Sequence, residues 1–144
     1  GGKKVKEVRE SLIYTKGTSL NVIDYKNLKI GNTICFDIRF PNLFHELMRE
    51  NVDIITVPSA FTKKTGEMHW HILNRARAIE TQSFIISAAQ VGEHNAQVKT
   101  YGHSLVVDPW GDILLDLGGK KSSIGFVELN FDKIKSIRNS IKVR

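Results

Sequence analysis

The residue best suited to act as a nucleophile is the single cysteine of the chain, Cys35. It ends an apolar run that predicts a strand, and Pro41 fits the first turn of a helix six residues later. In open α/β sheets, ligands bind at the carboxyl ends of the strands, so a thiol there faces a cleft. The strand-to-helix turn leaves backbone N–H groups unpaired, and the amide of Phe36 is placed to donate to the oxyanion formed when a thiolate attacks a carbonyl. On location alone, a buried core cysteine is the alternative.

The elements that position Cys35 follow from the apolar periodicity, which alternates between a period of two and a period of 3.6 residues. The pattern predicts strands over 20–23, 30–35, 53–57, 84–89, 104–108, 113–117 and 124–129, with helices over 41–49, from 67 or 69 to 81, and over 131–137. A polar loop is predicted over 92–99, a turn over 108–112, and an antiparallel pair of the last two strands. This order predicts a single α/β domain whose sheet has an antiparallel edge.

Composition excludes several classes of protein. The 144 residues are 41% hydrophobic and 25% charged, as in ordinary globular proteins. The net charge of +6 lies largely at the two ends of the chain, so no nucleic-acid partner is expected. No apolar run is long enough for a membrane span, and no signal peptide is visible. The lone cysteine cannot form an internal disulfide, which favours a cytoplasmic location, with a mitochondrial one as the alternative.

The segment around Cys35 resembles the nucleophile motif of the nitrilase superfamily, in which cysteine precedes an aromatic residue, Asp, any residue, Arg, Phe and Pro. Other stretches resemble the same superfamily in the same order: Pro58-Ser59-Ala60-Phe61-Thr62, Thr65-Gly66-Glu67-Met68-His69-Trp70, Arg75-Ala76-Arg77-Ala78-Ile79-Glu80-Thr81-Gln82, Tyr101-Gly102-His103-Ser104 and Val107-Asp108-Pro109-Trp110-Gly111. Together they are distributed from residue 35 to residue 111. The resemblance is to the Nit branch, the deaminated-glutathione amidases, some of which are fused to a Fhit domain.

The resemblance implies a carbon–nitrogen hydrolase with a Glu–Lys–Cys triad, no cofactor and no metal. Cys35 would attack a small carboxylate-bearing amide to form a thioester and release ammonia or an amine, with the Phe36 N–H as an oxyanion donor. The motifs of the triad glutamate and lysine are not in this sequence. Residues 1–144 are therefore interpreted as the C-terminal half of one domain, inactive without an N-terminal half.

The superfamily fold is a four-layer αββα sandwich, and its members form homo-oligomers, so a homodimer or tetramer is expected. The strands containing Ile54 and Ile85 are apolar on both faces, as in buried parallel strands. One half of a sandwich would leave an apolar sheet face in water, which is a second reason to expect a partner segment.

Four residues are predicted to bind substrate. Arg39 is suited to grip a substrate carboxylate, or alternatively pairs with Glu46 or a nearby acid. Ser59, Phe61 and Thr62 follow a strand end and are expected to line the pocket, with Phe61 packing on the substrate. Asp37, in contrast, is expected to brace the turn.

Histidines raise two further hypotheses. His69 and His71 diverge by about 200° on a helix, so they are not expected to share a metal ion, and no His, Cys and carboxylate set has the spacing of a zinc site. A rival hypothesis pairs Cys35 with His103 as a thiolate–imidazolium dyad. A third interpretation is a binding module without catalysis.

Arg77 and Glu80 are expected to form an ion pair on one helix face.

Overall fold

The computed structural model describes residue 15 and residues 17–95 and 98–143. Its strands are β1 (Asn21–Tyr25), β2 (Leu28–Asn32), β3 (Ile54–Thr56), β4 (Phe84–Ser87), β5 (Val91–Glu93), β6 (Lys99–Tyr101), β7 (Leu105–Val107) and β8 (Ile113–Asp116). Its helices are α1 (Pro41–Arg49), α2 (Lys63–Thr81) and α3 (Asp132–Ser140), and a short 3-10 helix spans Cys35–Arg39. None of the helices in these ranges is long and apolar enough to cross a membrane.

Six strands form one sheet in the order β1-β2-β3-β4-β7-β8, and β5 and β6 form a separate hairpin. The central strands β2, β3 and β4 run parallel, with Ile30 beside Ile54 and Ile54 beside Phe84. Strands β1, β7 and β8 are antiparallel to their neighbours. The predicted α/β sheet with antiparallel edges is confirmed, and its parallel centre places the carboxyl ends of β2, β3 and β4 at one edge.

Helices α1 and α2 cover one face of this sheet. Their buried side chains and those of the strands form one apolar core, whose fully buried large members include Phe44, Leu47, Ile55, Trp70 and Ile85. Pro41 begins α1, as the sequence predicts, because the fixed φ of proline suits the first helical turn. Helix α2 begins at Lys63, earlier than predicted, because its first turn is polar and lacks the apolar periodicity that marked the rest.

The second face of the sheet is partly covered, which corrects the expectation that it would be open to water. Ile54 and Phe84 are buried under α3, where Ile134 and Phe131 pack against them. The most exposed large apolar side chains lie instead in the segment before α3, in which Ile124 is 85% and Phe126 is 93% exposed.

Two predicted elements are wrong. Residues 124–129 form no strand, because no described backbone pairs with them; β8 pairs with β7 instead. The predicted loop over 92–99 contains parts of the β5–β6 hairpin, in which Val91 pairs with Tyr101. Its polar strands lacked the apolar alternation on which the prediction relied.

The predicted strand over 30–35 is also too long, since β2 ends at Asn32. Cys35 lies three residues beyond it, in the 3-10 helix. The remaining predicted strands agree with the structure within a few residues.

Candidate active site

Cys35 lies just beyond the carboxyl edge of the parallel strands. Its N–H donates to the Pro58 carbonyl at 2.8 Å, which fixes the turn after β2 to the turn after β3. The residue is half-buried, so its sulfur is neither sealed in the core nor fully in solvent. Its φ of +47° is left-handed, a conformation that costs a non-glycine residue about 1 kcal/mol and that clusters at functional sites.

The turn after Cys35 is braced by Asp37, as predicted. The Asp37 carboxylate accepts a hydrogen bond from the Ile34 N–H at 2.8 Å, and the Asp37 N–H donates to the Ile34 carbonyl at 2.9 Å. No described residue accepts a hydrogen bond from the N–H of Phe36, a residue that is 61% exposed. This N–H is therefore free to donate to an oxyanion formed beside Cys35.

Arg39 ends the same 3-10 helix and is held by aromatic contacts. Its guanidinium carbon lies 5.6 Å from the ring centre of Phe36 and 5.1 Å from that of Phe61. Its Nη1 lies 3.3 Å from His69 Nδ1. The alternative pair with Glu46 is not formed, because Glu46 binds Arg49 at 2.5 Å. No described carboxylate lies within ion-pair distance of Arg39, so the guanidinium has no internal anion to neutralise it.

The contact between Arg39 and His69 could not be predicted from the sequence. The two residues lie 30 positions apart, and His69 is one of several polar residues on an exposed helical turn. Only the packing of α2 beside the 3-10 helix brings them together.

Ser59 and Thr62 follow β3 and lie at the carboxyl edge of the sheet, as Cys35 does. Ser59 is buried, bridges to Ala89 beyond β4, and donates from its hydroxyl to the Val57 carbonyl at 3.1 Å. Thr62 is exposed, and its hydroxyl lies 2.9 Å from that of Thr65 in the first turn of α2. Their contact with a substrate stays a prediction.

Phe61 is 6% exposed, and its ring packs 4.8 Å from that of Trp70. Both rings belong to the core, and the Arg39 guanidinium lies over the Phe61 ring. In this structure Phe61 therefore supports the guanidinium, and its predicted packing on the substrate stays a prediction.

Helix α2 is fixed to the turn of Cys35 through a buried arginine. Arg77 is 5% exposed, donates from Nε to the Ile38 carbonyl at 2.9 Å, and pairs with Glu80 at 2.7 Å. The predicted Arg77–Glu80 pair is confirmed. The carbonyl contact stabilises the 3-10 helix that begins with the cysteine.

His103 is turned toward β8. Its Nδ1 lies 2.9 Å from Asp116 Oδ1, and its ring stacks on Tyr101 at 4.3 Å. No hydrogen bond joins it to Cys35 in the described ranges. The geometry gives no support to a Cys35–His103 dyad.

Comparison with known proteins assigns the chain to a family. The carbon-nitrogen hydrolase family matches residues 3–139. The chain belongs to the carbon-nitrogen hydrolase family. Proteins similar to this carbon-nitrogen hydrolase chain include the deaminated glutathione amidases of Dictyostelium discoideum, 44% identical over 95% of this chain, and of Yersinia enterocolitica, 45% identical over 94%.

Solved structures agree on the fold. A Saccharomyces cerevisiae member of branch 10 of the nitrilase superfamily superposes with a TM-score of 0.86 at 35% identity over 93% of this chain and 49% of its own. The C. elegans NitFhit protein gives a TM-score of 0.86 at 37% identity, over 94% of this chain and 33% of its own. The carbon-nitrogen hydrolase chain thus has the nitrilase-superfamily fold that the sequence predicts.

The chain spans about half the length of the curated relatives it matches, since it covers 47% of both amidases. A carbon-nitrogen hydrolase of their size would contain a further stretch of similar length. The described residues supply a thiol, a free backbone N–H and an unneutralised guanidinium.

Proposed function

We propose that the full-length protein containing this chain hydrolyses a small carboxylate-bearing amide, and that its substrate is similar to deaminated glutathione. The observation that carries the proposal is the half-buried Cys35 in a left-handed turn, followed by the Phe36 N–H, which donates to no acceptor among the described residues. The names of the Dictyostelium and Yersinia relatives support the choice of substrate.

The reaction proceeds through a thioester on Cys35. The thiolate attacks the amide carbonyl carbon, a C–S bond forms, and the carbonyl electrons move to the oxygen, which accepts a hydrogen bond from the Phe36 N–H. The C–N bond then breaks, and the nitrogen takes up a proton and leaves as ammonia or an amine. Water attacks the thioester, the C–S bond breaks, and the carboxylic acid leaves as the sulfur recovers its proton.

The groups that move these protons belong to the upstream half of the protein. A glutamate there would take the thiol proton and give it to the leaving nitrogen, and a lysine would stabilise the oxyanion beside the Phe36 N–H. The 47% coverage of the relatives supports this division of the site between two halves. The same proposal includes assembly into a homodimer or tetramer and a cytoplasmic location.

Arg39 binds a carboxylate of the substrate in this scheme. A guanidinium forms two parallel hydrogen bonds with a carboxylate, and such charge-assisted bonds are stronger than neutral ones. The Phe36 and Phe61 rings hold the guanidinium beside the cysteine without neutralising it. This arrangement favours an anionic substrate over a neutral amide.

Activity of the full-length protein tests the proposal. Hydrolysis of deaminated glutathione should fall by about 10³-fold or more in Cys35→Ala, because the nucleophile is lost. His103→Ala should retain most of the activity. Loss of activity in His103→Ala, with its fold intact by circular dichroism, would favour the dyad. A full-length protein that hydrolyses no amide but binds the substrate would favour the binding module.

A further inference from the structure

A second cluster of chemically active side chains lies away from Cys35. His71 on α2, His103 before β7 and Asp116 at the end of β8 converge, and their ligand atoms all lie within 4.8 Å of one another. His71 Nε2 is 3.0 Å from Asp116 Oδ2, and His103 Nδ1 is 2.9 Å from Asp116 Oδ1. The three side chains are between 25% and 31% exposed, so ions in solvent can reach them.

The backbone around His103 is held in place from several directions. Its φ is +58°, a left-handed conformation that is uncommon for a residue with a side chain. The His103 carbonyl accepts a hydrogen bond from Trp70 Nε1 at 2.7 Å, and its N–H donates to the Gly118 carbonyl at 2.9 Å. The Gly118 N–H in turn donates to Asp116 Oδ1 at 2.8 Å. These bonds fix the imidazole and the carboxylate relative to each other.

Aromatic packing fixes the orientation of both imidazoles. The rings of His71 and His103 meet edge to face at 5.0 Å, and Tyr101 stacks on His103 while meeting His71 edge to face. Gly66 permits this packing, because a Cβ there would lie 2.3 Å from Tyr101 Cβ. The Tyr101 hydroxyl lies 3.5 Å from His71 Nδ1, on the ring nitrogen that does not face Asp116.

The carboxylate of this cluster is held between the two imidazoles. Asp116 accepts a hydrogen bond from the Gly118 N–H at 2.8 Å, and its oxygens lie 2.9–3.0 Å from one nitrogen of each histidine. Two imidazoles and one carboxylate are a donor set that transition-metal dications prefer.

We propose that His71, His103 and Asp116 bind a divalent transition-metal ion, with Zn²⁺ as the expected occupant. Three protein ligands leave a fourth tetrahedral position for water, which the exposure of the cluster permits. Ligand atoms about 2.0–2.1 Å from zinc lie roughly 3.3 Å apart in a tetrahedral site. The His–Asp contacts of 2.9–3.0 Å need to widen only slightly, while the two imidazole nitrogens move toward each other.

The ion would join three elements that the chain separates. His71 belongs to α2, His103 precedes β7, and Asp116 ends β8, so a bound ion would tie the helix to the sheet edge. His103 also lines a groove of about 660 Å³, which gives the open coordination position access to solvent. Binding of the ion should therefore stabilise the fold as well as occupy the site.

Zinc titration of the full-length protein tests the site. The Cys35→Ala background is used so that the active-site thiol cannot bind the metal. Isothermal titration with ZnCl₂ should give one ion per chain, and the melting temperature should rise on zinc addition and fall again with EDTA. Substituting Co²⁺ should give the visible absorption of a four-coordinate ion.

Variants of the ligands decide whether these three residues hold the ion. His71→Gln and Asp116→Asn should each weaken zinc binding at least about tenfold. His45→Gln is the matched control, since it removes one exposed histidine from α1 and should leave the affinity unchanged. Circular dichroism confirms that each variant is folded. Absence of zinc binding in the parent protein, or equal affinity in the parent and both ligand variants, would overturn the proposal.

Discussion

At the scale of single residues, the neighbours of Cys35 fall into two groups: one stabilises the turn, and the others have groups available to bind a substrate. Asp37 is committed to the turn, because its carboxylate is bound to the Ile34 N–H. Within the described ranges, the Phe36 N–H donates to no acceptor and the Arg39 guanidinium pairs with no carboxylate. The residues with unused hydrogen-bonding capacity are thus those proposed to meet the oxyanion and the substrate carboxylate.

Removal of the Arg39 guanidinium should weaken the binding of a carboxylate-bearing substrate. Arg39→Gln in the full-length protein should raise the KM for a carboxylate-bearing amide by about 10- to 100-fold, because a charge-assisted hydrogen bond is worth about 1.5–3 kcal/mol. Steady-state kinetics measure the effect, and the KM for a neutral amide should change little. Arg49→Gln, which removes an exposed arginine paired with Glu46, is the control. An equal loss for charged and neutral amides would contradict the assignment of Arg39.

At the scale of elements, the predictions from sequence succeeded where apolar periodicity was strong. Helix α1 and strands β3, β4 and β7 were predicted because their buried residues recur at the helical or strand period. The β5–β6 hairpin was missed because its pairing is carried by polar residues such as Thr100. Apolar periodicity appears in a sequence only where one face of an element is buried by apolar side chains, and this hairpin buries few of them.

The same limit applied to the sites. Cys35 and Arg39 are predicted as site residues because they lie in one short motif. The metal site proposed at His71, His103 and Asp116 is not predicted by the sequence, because these residues are 32 and 13 positions apart and meet only when α2 packs on the sheet edge. Sequence spacing identifies sites within one element far better than sites between elements.

The docking of α3 gives a prediction on pH. Lys133 on α3 binds the buried Asp108 carboxylate, and this hydrogen bond raises the pKa of Lys133 above its usual value of 10.5. A raised pKa means that the folded state holds the proton more tightly. The contribution of the Lys133–Asp108 contact to the free energy of unfolding is therefore full below about pH 10.5 and is lost as the pH rises through the folded-state pKa.

Lys133→Met measures this contribution. In the full-length protein it should lower the free energy of unfolding by about 1 kcal/mol at pH 8, a modest value because Lys133 is 38% exposed and solvent screens the pair. Urea unfolding at pH 8 and at pH 11 should show that the difference between variant and parent shrinks at the higher pH. Lys135→Met, on the exposed face of the same helix, is the control. A difference that is constant with pH would refute the assignment.

At the scale of the whole molecule, the chain has one complete helical layer and one incompletely covered face. Helices α1 and α2 bury the first face of the sheet, whereas α3 covers only part of the second. Ile124 and Phe126 are exposed in a segment that has no strand partner among the described residues. Exposed apolar side chains on an unpaired segment are what a sandwich would show if its other half were removed.

Phe126 gives a prediction at this scale. If the upstream half covers this segment, Phe126→Ala should lower the free energy of unfolding of the full-length protein by about 3 kcal/mol, as for a buried phenylalanine. Chemical denaturation measures the change. Val98→Ala, at an exposed position of the β5–β6 hairpin, should have little effect. A neutral Phe126→Ala would show that this segment stays exposed in the full-length protein.

The most direct test of the account is to capture the acyl group on Cys35. Full-length protein is mixed with deaminated glutathione, quenched in acid during turnover, digested and analysed by mass spectrometry. The peptide containing Cys35 should gain the mass of the acyl portion of the substrate, and hydroxylamine should remove it. Turnover that leaves Cys35 unmodified and continues undiminished in Cys35→Ala would contradict the thioester mechanism.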